Sequence, residues 1–566
     1  MLAIIALIVM ASAYLLVTQL NASVGFAAEK RNRSAQVLNQ AKEALIGYVA
    51  QRALLASENN PGRLPCPEAA GYYGDPAQEG IAAPSCTLPA VGRLPWRTLG
   101  LDKLVDAASE PLWYAVSPGW ALPSVGATLI INSDTAGQLT VDGVANDAVA
   151  LIIAPGAAFN VPAAAGCTAR SQTHPTAAGT LDLGNYLECE NATSPADASF
   201  VTTGPSTSFN DQVLRVTTAD LLPGIEAAIA ERIKREIVPA LRNVYADPAW
   251  GSGISATNPL FPYPAAFSNP STSNFQGASG VSQGLLPFNQ TQGCNPATDP
   301  RCTTTLTAWA SGTPPDVTKI SGFGYFQTKN CTWQSGGNVA FCGGEYHEDL
   351  IFNEPWRPGM VISMTATINN VAMGLRIFDA TKATIEAEND DGTGAPLQIV
   401  PVNIARTMNS NGSVTITFSG TLPNIAAMSW GHYALYRIRL ERSVIADHAL
   451  LDPNSATTGW FVRNQWYRVV YYAPAAGYTA AALPGTSCTT GVSCLSVTNF
   501  TPTNNQRAIL ILAGRSNTNP AGRPNGNLAD YLEFGNADGN TAFEQRTISR
   551  APGAPFNDRV VVLDAN

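Results

Sequence analysis

The chain has 566 residues, a net charge of -9, and only 13% charged residues. That length exceeds what one hydrophobic core can organise, so three or more folded units are expected. The acidic balance argues against a general nucleic-acid binder, because phosphate affinity comes from Lys and Arg, and no nucleic-acid partner is expected.

The first twenty residues, MLAIIALIVMASAYLLVTQL, carry no formal charge; the first is Glu29, followed by Lys30, Arg31 and Arg33. A helix of this length rises about 30 Å, the thickness of a bilayer core. Further on, Val37, Leu38, Ala41, Leu45, Tyr48 and Val49 recur at spacings of three and four, with Lys42 and Glu43 on the other face. That is an amphipathic pattern, and Asn60-Pro61 should end it near Asn59. The spacing predicts one helix over 1–59, apolar all round at first and amphipathic later. Met1, Ile4, Ile5, Leu7, Ile8, Leu15, Leu16 and Leu20 form its apolar candidate surface.

The helix and the motifs after it, AKEALIGYVAQ (41–51), GRLPCPE (62–68) and GRLPWRTLGL (92–101), resemble type IV pilins, minor pilins and the pseudopilins of type II secretion. The resemblance covers about the first 120 residues. It implies a short basic leader removed before Met1, other pilin subunits as partners through the helix, and residence in the inner membrane before assembly. The expected localisation is a single-pass bacterial inner-membrane protein that passes into a periplasmic or extracellular filament. The family usually places a glutamate at the fifth mature position, where its carboxylate neutralises a neighbour's N-terminal amine in an apolar filament core. Here that position is Ile5. Within the family, this absence resembles the tip pseudopilin, which has no subunit above it.

Later segments repeat in order. PLWYAVS (111–117) matches QWYRVVY (465–471), and AVALIIAPG (148–156) matches RAILILAGR (507–515). LGNYLECENA (183–192) and LADYLEFGNA (528–537) are identical at six of ten positions, and SFNDQVLRV (208–216) matches PFNDRVVVL (555–563). The helical pattern of 221–248 stands where the second copy would begin. The repeats imply tandem duplication of one module. The expected fold is α+β: a long N-terminal helix and two tandem pilin-like heads, each a helix packed on an antiparallel sheet, with a β-sandwich-like insert in the second. The domains are expected at 1–59 (helix), 60–220 (first head), 221–288 with 459–566 (second head), and 289–458 (insert). The insert reading rests on alternating runs at 360–368, 397–404, 413–420 and 433–443.

Ten cysteines fall in close pairs: Cys66 and Cys86, Cys167 and Cys189, Cys294 and Cys302, Cys331 and Cys342, Cys488 and Cys494. Their spacing reads as five disulfides and an oxidising compartment. ENDDGTG gathers Glu388, Asn389, Asp390 and Asp391 in a Gly turn. Calcium takes six to eight oxygens, so it is the one cofactor the sequence suggests, against a solvated hairpin turn. NADGN (536–540) is a weaker case. Trp333, Trp356, Trp430 and Tyr433 are candidates for stacking on a surface or glycan ligand, against ordinary core packing. His347 with Glu348 and Asp349 is the one acid-rich histidine site, and His432 lies in a strand pattern; neither has a nucleophile motif beside it. The repeated Tyr186, Glu188, Asn191 and Asn210-Asp211, matching Tyr531, Glu533, Asn536 and Asn557-Asp558, read as fold scaffolding, with the Asn-Asp pairs forming Asx turns. No catalytic residue is assigned. The reading is a non-enzymatic minor pilin or pseudopilin-like subunit, capping a filament tip and presenting its β-rich insert for adhesion or assembly priming. The alternative is a membrane-tethered exported enzyme acting on polysaccharide, with its site in the insert.

Overall fold

The structure is a computed structural model. It describes residues 2–246 and 451–565, apart from gaps at 122–128, 165, 175–181, 194–196, 203, 479–487, 489–492, 519–521 and 552. Between those blocks it describes 261, 264–267, 281–287, the strands given below and a few isolated positions. Helix and strand contribute similar shares, 27% and 26%, so the chain is mixed α and β. It divides into two compact units. The first is Met1–Arg232 with Arg463–Trp466 and Gly514–Ala521; the second is Ile233–Val462, Tyr467–Ala513 and Gly522–Asn566.

In the first unit, helix α1 spans Leu2–Ala53. Leu38, Ala41, Leu45, Val49 and Ala53 form one buried stripe along it, the i, i+3, i+4 geometry of a helix face. The stripe packs on helix α3 (Thr218–Arg232) and on the sheet. Small residues bring the helices close: a Cβ added at Gly224 would lie 3.2 Å from the Ala50 methyl. The buried Arg232 guanidinium donates to the carbonyls of Ala53 and Glu58, at 3.4 and 2.9 Å, and so satisfies the end of α1.

The sheet is antiparallel: β1 (Ala90–Arg93), β2 (Trp113–Val116), β3 (Ala150–Ala154) and β4 (Gln212–Val216), hydrogen-bonded in that order. Every residue of β2 and β3 is buried, so both faces are covered. Trp113, Ala115, Leu151 and Ile153 point into a cluster with Leu139, Val141, Tyr186, Leu187 and Phe200. The alternate residues face the opposite side by the two-residue period of a strand. Segment 463–466 belongs to this unit through Asn464, whose side chain accepts from Ile131 N at 3.1 Å and donates to Asn59 O at 2.8 Å.

The second unit holds a four-stranded antiparallel sheet of the same form: β5 (Gly284–Leu285), β6 (Val470–Pro474), β7 (Gln506–Leu512) and β8 (Arg559–Ala565). A π-helical turn, Ile233–Ile237, and helix α4, Val238–Ala246, contact β8. Arg242 donates to Leu563 O and pairs with Asp564 at 3.5 Å. Within 289–458 the described strands form two antiparallel sheets. Nine strands are hydrogen-bonded in the order 398–401, 384–389, 434–441, 339–343, 326–333, 319–323, 361–368, 414–421 and 403–408. A three-stranded sheet runs 289–293, 445–449, 302–306.

Disulfides join Cys66 to Cys86, Cys167 to Cys189 and Cys488 to Cys494. Cys331 and Cys342 are register partners on adjacent strands, and Cys302 begins a strand. Cys294 lies outside the described residues.

The expected single-pass inner-membrane localisation is corrected. Among the described residues no helix is long and apolar enough to cross a membrane. Helix α1 runs without a break into Glu29, Lys30, Arg31 and Arg33, and its described buried face, from Ser34 onward, is covered by protein.

Leu45 is fully buried in the stripe of α1. Leu45→Ala should lower stability by about 2–5 kcal/mol in urea unfolding of the intact chain. A loss below about 0.5 kcal/mol would show that this face is not the core of the unit.

Candidate functional site

Helix α1 has two halves with different surroundings. From Ser34 onward one face is buried, and Ser34 Oγ accepts from Ala107 N at 3.1 Å. Before Ser34 every residue with described burial is exposed. Met10, Tyr14 and Phe26 are 65%, 71% and 66% exposed. Of the apolar residues named from sequence, Ile4, Ile5, Leu7, Ile8, Leu15, Leu16 and Leu20 lie in this half, and Met1 is outside the described residues. Sequence reasoning did not single out Met10, Tyr14 or Phe26. They lie within or beside the apolar run, but only the structure separates these exposed positions from the stripe that packs.

The two Gly-Arg-Leu-Pro motifs meet in the first unit. Glu68 N donates to Arg93 O at 3.0 Å. A Cβ at Gly92 would approach the Pro67 ring to 2.8 Å, so only glycine lets the segments close. Arg93 is buried and sits over the rings of Tyr73, Trp113 and Tyr186, at 3.3, 5.4 and 5.3 Å. Its Nη2 donates to Tyr186 Oη at 3.1 Å. His174 stacks on Tyr186 at 4.9 Å and places Nδ1 3.1 Å from a Glu110 carboxylate oxygen. Burial pushes the Glu68 carboxyl up to about 7, against the pull of the Arg93 charge. The cluster ties β1 to the turns at 66–73 and 183–187. Nothing in the sequence around His174 pointed to this role.

The repeated residues form the same hydrogen-bonded joint once in each unit. In the first, Asp211 Oδ2 accepts from Glu188 N at 3.1 Å and Asn191 Nδ2 at 3.0 Å. Glu188 Oε2 accepts in return from Asn210 N and Asp211 N, at 2.9 and 3.0 Å. In the second, Asp558 Oδ2 accepts from Glu533 N and Asn536 Nδ2, both at 3.0 Å, and Glu533 Oε2 accepts from Asn557 N at 3.1 Å. Asn191 brackets the backbone of Val201 with both amide atoms, as Asn536 brackets Glu544. Each joint fastens the start of the last strand, β4 or β8, to a turn bearing a buried tyrosine, Tyr186 or Tyr531. The Asx turns expected at these Asn-Asp pairs are replaced by contacts to the distant turn: Asn210 Nδ2 donates to Ala157 O, and the aspartates bind Glu188 and Glu533.

The insert candidates are not brought together by the described structure. Glu388 and Asn389 end strand 384–389, while Asp390 and Asp391 lie outside the described residues. Among the described residues no group of three His, Cys, Asp or Glu side chains is placed to hold a metal. Trp333 ends strand 326–333 opposite Ala340. Trp356, Trp430, Tyr433, His347 and His432 lie outside the described residues. Comparison of the chain with family models, with curated proteins and with solved structures finds no match.

Two outcomes follow for the arginine cluster. Arg93→Lys keeps the charge but loses the flat contact with three rings, and should cost about 2 kcal/mol in urea unfolding; full stability in this variant would contradict the stacking argument. Glu68 keeps its proton in the folded chain up to about pH 7 but loses it when unfolded above about pH 4.3. The folded state therefore binds more protons in that window, and stability falls as pH rises through it. Glu68→Gln should remove that part of the slope between pH 4.5 and 7.5; an unchanged slope would contradict the assignment.

Proposed function

We propose that this protein is a non-enzymatic, pilin-like filament subunit that joins its neighbours through the N-terminal half of α1. The observation that carries the reading is the division of α1 at Ser34, with Met10, Tyr14 and Phe26 exposed before it and a packed stripe after it. Exposed apolar side chains on a helix can be buried by other helices of the same kind, packed ridge into groove. The resemblance of 1–120 to type IV pilins and pseudopilins supplies the partner: the N-terminal helix of another such subunit.

On this reading the chain carries two tandem heads made by duplication. The support is that both four-stranded sheets have the same strand order and that in each joint the aspartate accepts from the glutamate N–H and the asparagine amide. Ile5 in place of a carboxylate fits a subunit at the filament tip, with no neighbour above it. The β-rich segment 289–458 is then the part presented for adhesion or for priming assembly.

The test is sedimentation velocity of the full chain carrying Met10→Glu and Tyr14→Glu together. Each carboxylate placed in an apolar contact carries a desolvation cost of several kcal/mol. The wild-type chain should sediment as an assembly and the variant as a single chain. Equal masses for the two would reject α1 as the assembly surface.

A further inference from the structure

We propose that Asp211 and Asp558 each hold a proton and donate it to Glu188 and Glu533, so that each unit contains one pH-sensitive clamp on its last strand. The inference rests on hydrogen-bond accounting and does not depend on the filament reading.

In the first clamp, the two oxygens of Glu188 accept three N–H donors: Gln172 Nε2 at 2.7 Å, and Asn210 N and Asp211 N. Asp211 Oδ2 accepts two donors. Asp211 Oδ1 is buried and meets no N–H donor, and it lies beside the Glu188 carboxyl, since Glu188 Oε2 accepts from Asp211 N while Asp211 Oδ2 accepts from Glu188 N. Two acceptors can bond only if one of them carries the proton. Burial pushes the Glu188 carboxyl up as well, but its N–H donors pull against that. Asp211 Oδ1 has none, so the proton belongs there. The second clamp repeats this arrangement. Asp558 Oδ2 accepts from Glu533 N and Asn536 Nδ2, its Oδ1 is buried without an N–H donor, and Glu533 Oε2 accepts in return from Asn557 N. Burial and the neighbouring glutamate charge both hold the aspartate protons well above the usual carboxylate range.

The charged and titratable groups on the elements around the first clamp are Lys30 and Arg31 on α1, Asp106 before β2, Glu190 on the short helix α2 (Cys189–Thr193) and Arg215 on β4. Lys30, Arg31 and Asp106 line, with Asp211, a cavity of about 230 Å³. Around the second clamp they are Asp530 and Asp538 beside the tyrosine turn, Arg559 on β8, and Glu544 paired with Arg546 at 2.8 Å.

The consequence has a definite sign. A carboxyl protonated when folded and ionised when unfolded stabilises the fold most at low pH. That contribution is lost as pH rises through the folded value. Ionising both partners then sets two anions against each other in a buried joint, loosening the last strand from the tyrosine turn.

Asparagine mimics the protonated aspartate: its oxygen can accept the two N–H donors while its amide donates to the glutamate. Glutamine at Glu188 or Glu533 instead sets an amide against existing donors. The experiment is thermal unfolding of the full chain from pH 5 to 9 for wild type, Asp211→Asn with Asp558→Asn, and Glu188→Gln with Glu533→Gln. The Asn pair should match wild type within about 1 °C at pH 5, and its Tm should fall less by pH 9, by roughly 3 °C or more. The Gln pair should be lower at every pH. The proposal is overturned if the Asn pair unfolds as early as the Gln pair at pH 5 or fails to fold, or if it keeps the wild-type slope. It is also overturned if calcium chloride at pH 8 stabilises wild type and not the Asn pair, since a cation would then occupy the proton's place.

Discussion

Burial of one stripe of α1, from Leu38 to Ala53, is the constraint on which the first unit depends. The two central strands, β2 and β3, are apolar on both faces and need a cover on each. One cover is the cluster around Tyr186 and Leu187. The other is the helical layer, and it can approach closely because Ala41, Ala50, Ala53 and Gly224 keep side chains small at the contact. Lys42 fastens the edge of that layer, with Nζ 2.9 Å from Asp220 and bonded to Arg215 O at 3.2 Å. An exposed pair of this kind adds little energy and mainly fixes position.

In the other half of α1 the positions with described burial, Met10, Ser12, Tyr14 and 25–33, are exposed. A continuous helix is stiff, so the two halves of α1 act as one element. The proposed function follows from that division of labour: a head built on the C-terminal half displays the N-terminal half to neighbours. The repeated joints serve the same end differently. They bind the last strand of each sheet to a turn far away in sequence, and they do so with buried carboxyl groups rather than with apolar contacts. A joint of that sort is specific in geometry and sensitive to protonation, where a purely apolar one would be neither.

Much of this was legible in the residues alone. The three- and four-residue spacing from Val37 to Val49 identified the packed face of α1, because periodicity reports which side of a helix is apolar. The repeats at 183–192 and 528–537 identified the residues of both joints, because the same residue types recur in the same order. What the spacing could not report is the partner of each group. Glu188 meets Asp211, and His174 meets Tyr186, through chain reversals that no local pattern encodes, so the Asn-Asp pairs read as local turns. The charge-free run at the N-terminus read as a membrane span for a related reason. Hydropathy registers what a surface avoids, and water is avoided equally by a helix facing lipid and by one facing other helices.

The central claim is that the N-terminal half of α1 is the contact between subunits. The most direct measurement places a photo-crosslinking residue at Tyr14, or at Leu45 as a control, in the full chain in its native cells, with adducts mapped by peptide mass. The account predicts adducts at position 14 to the apolar N-terminal helix of another subunit, and at position 45 only links within the chain. No inter-chain adduct at position 14, or the same adducts at both positions, would contradict it.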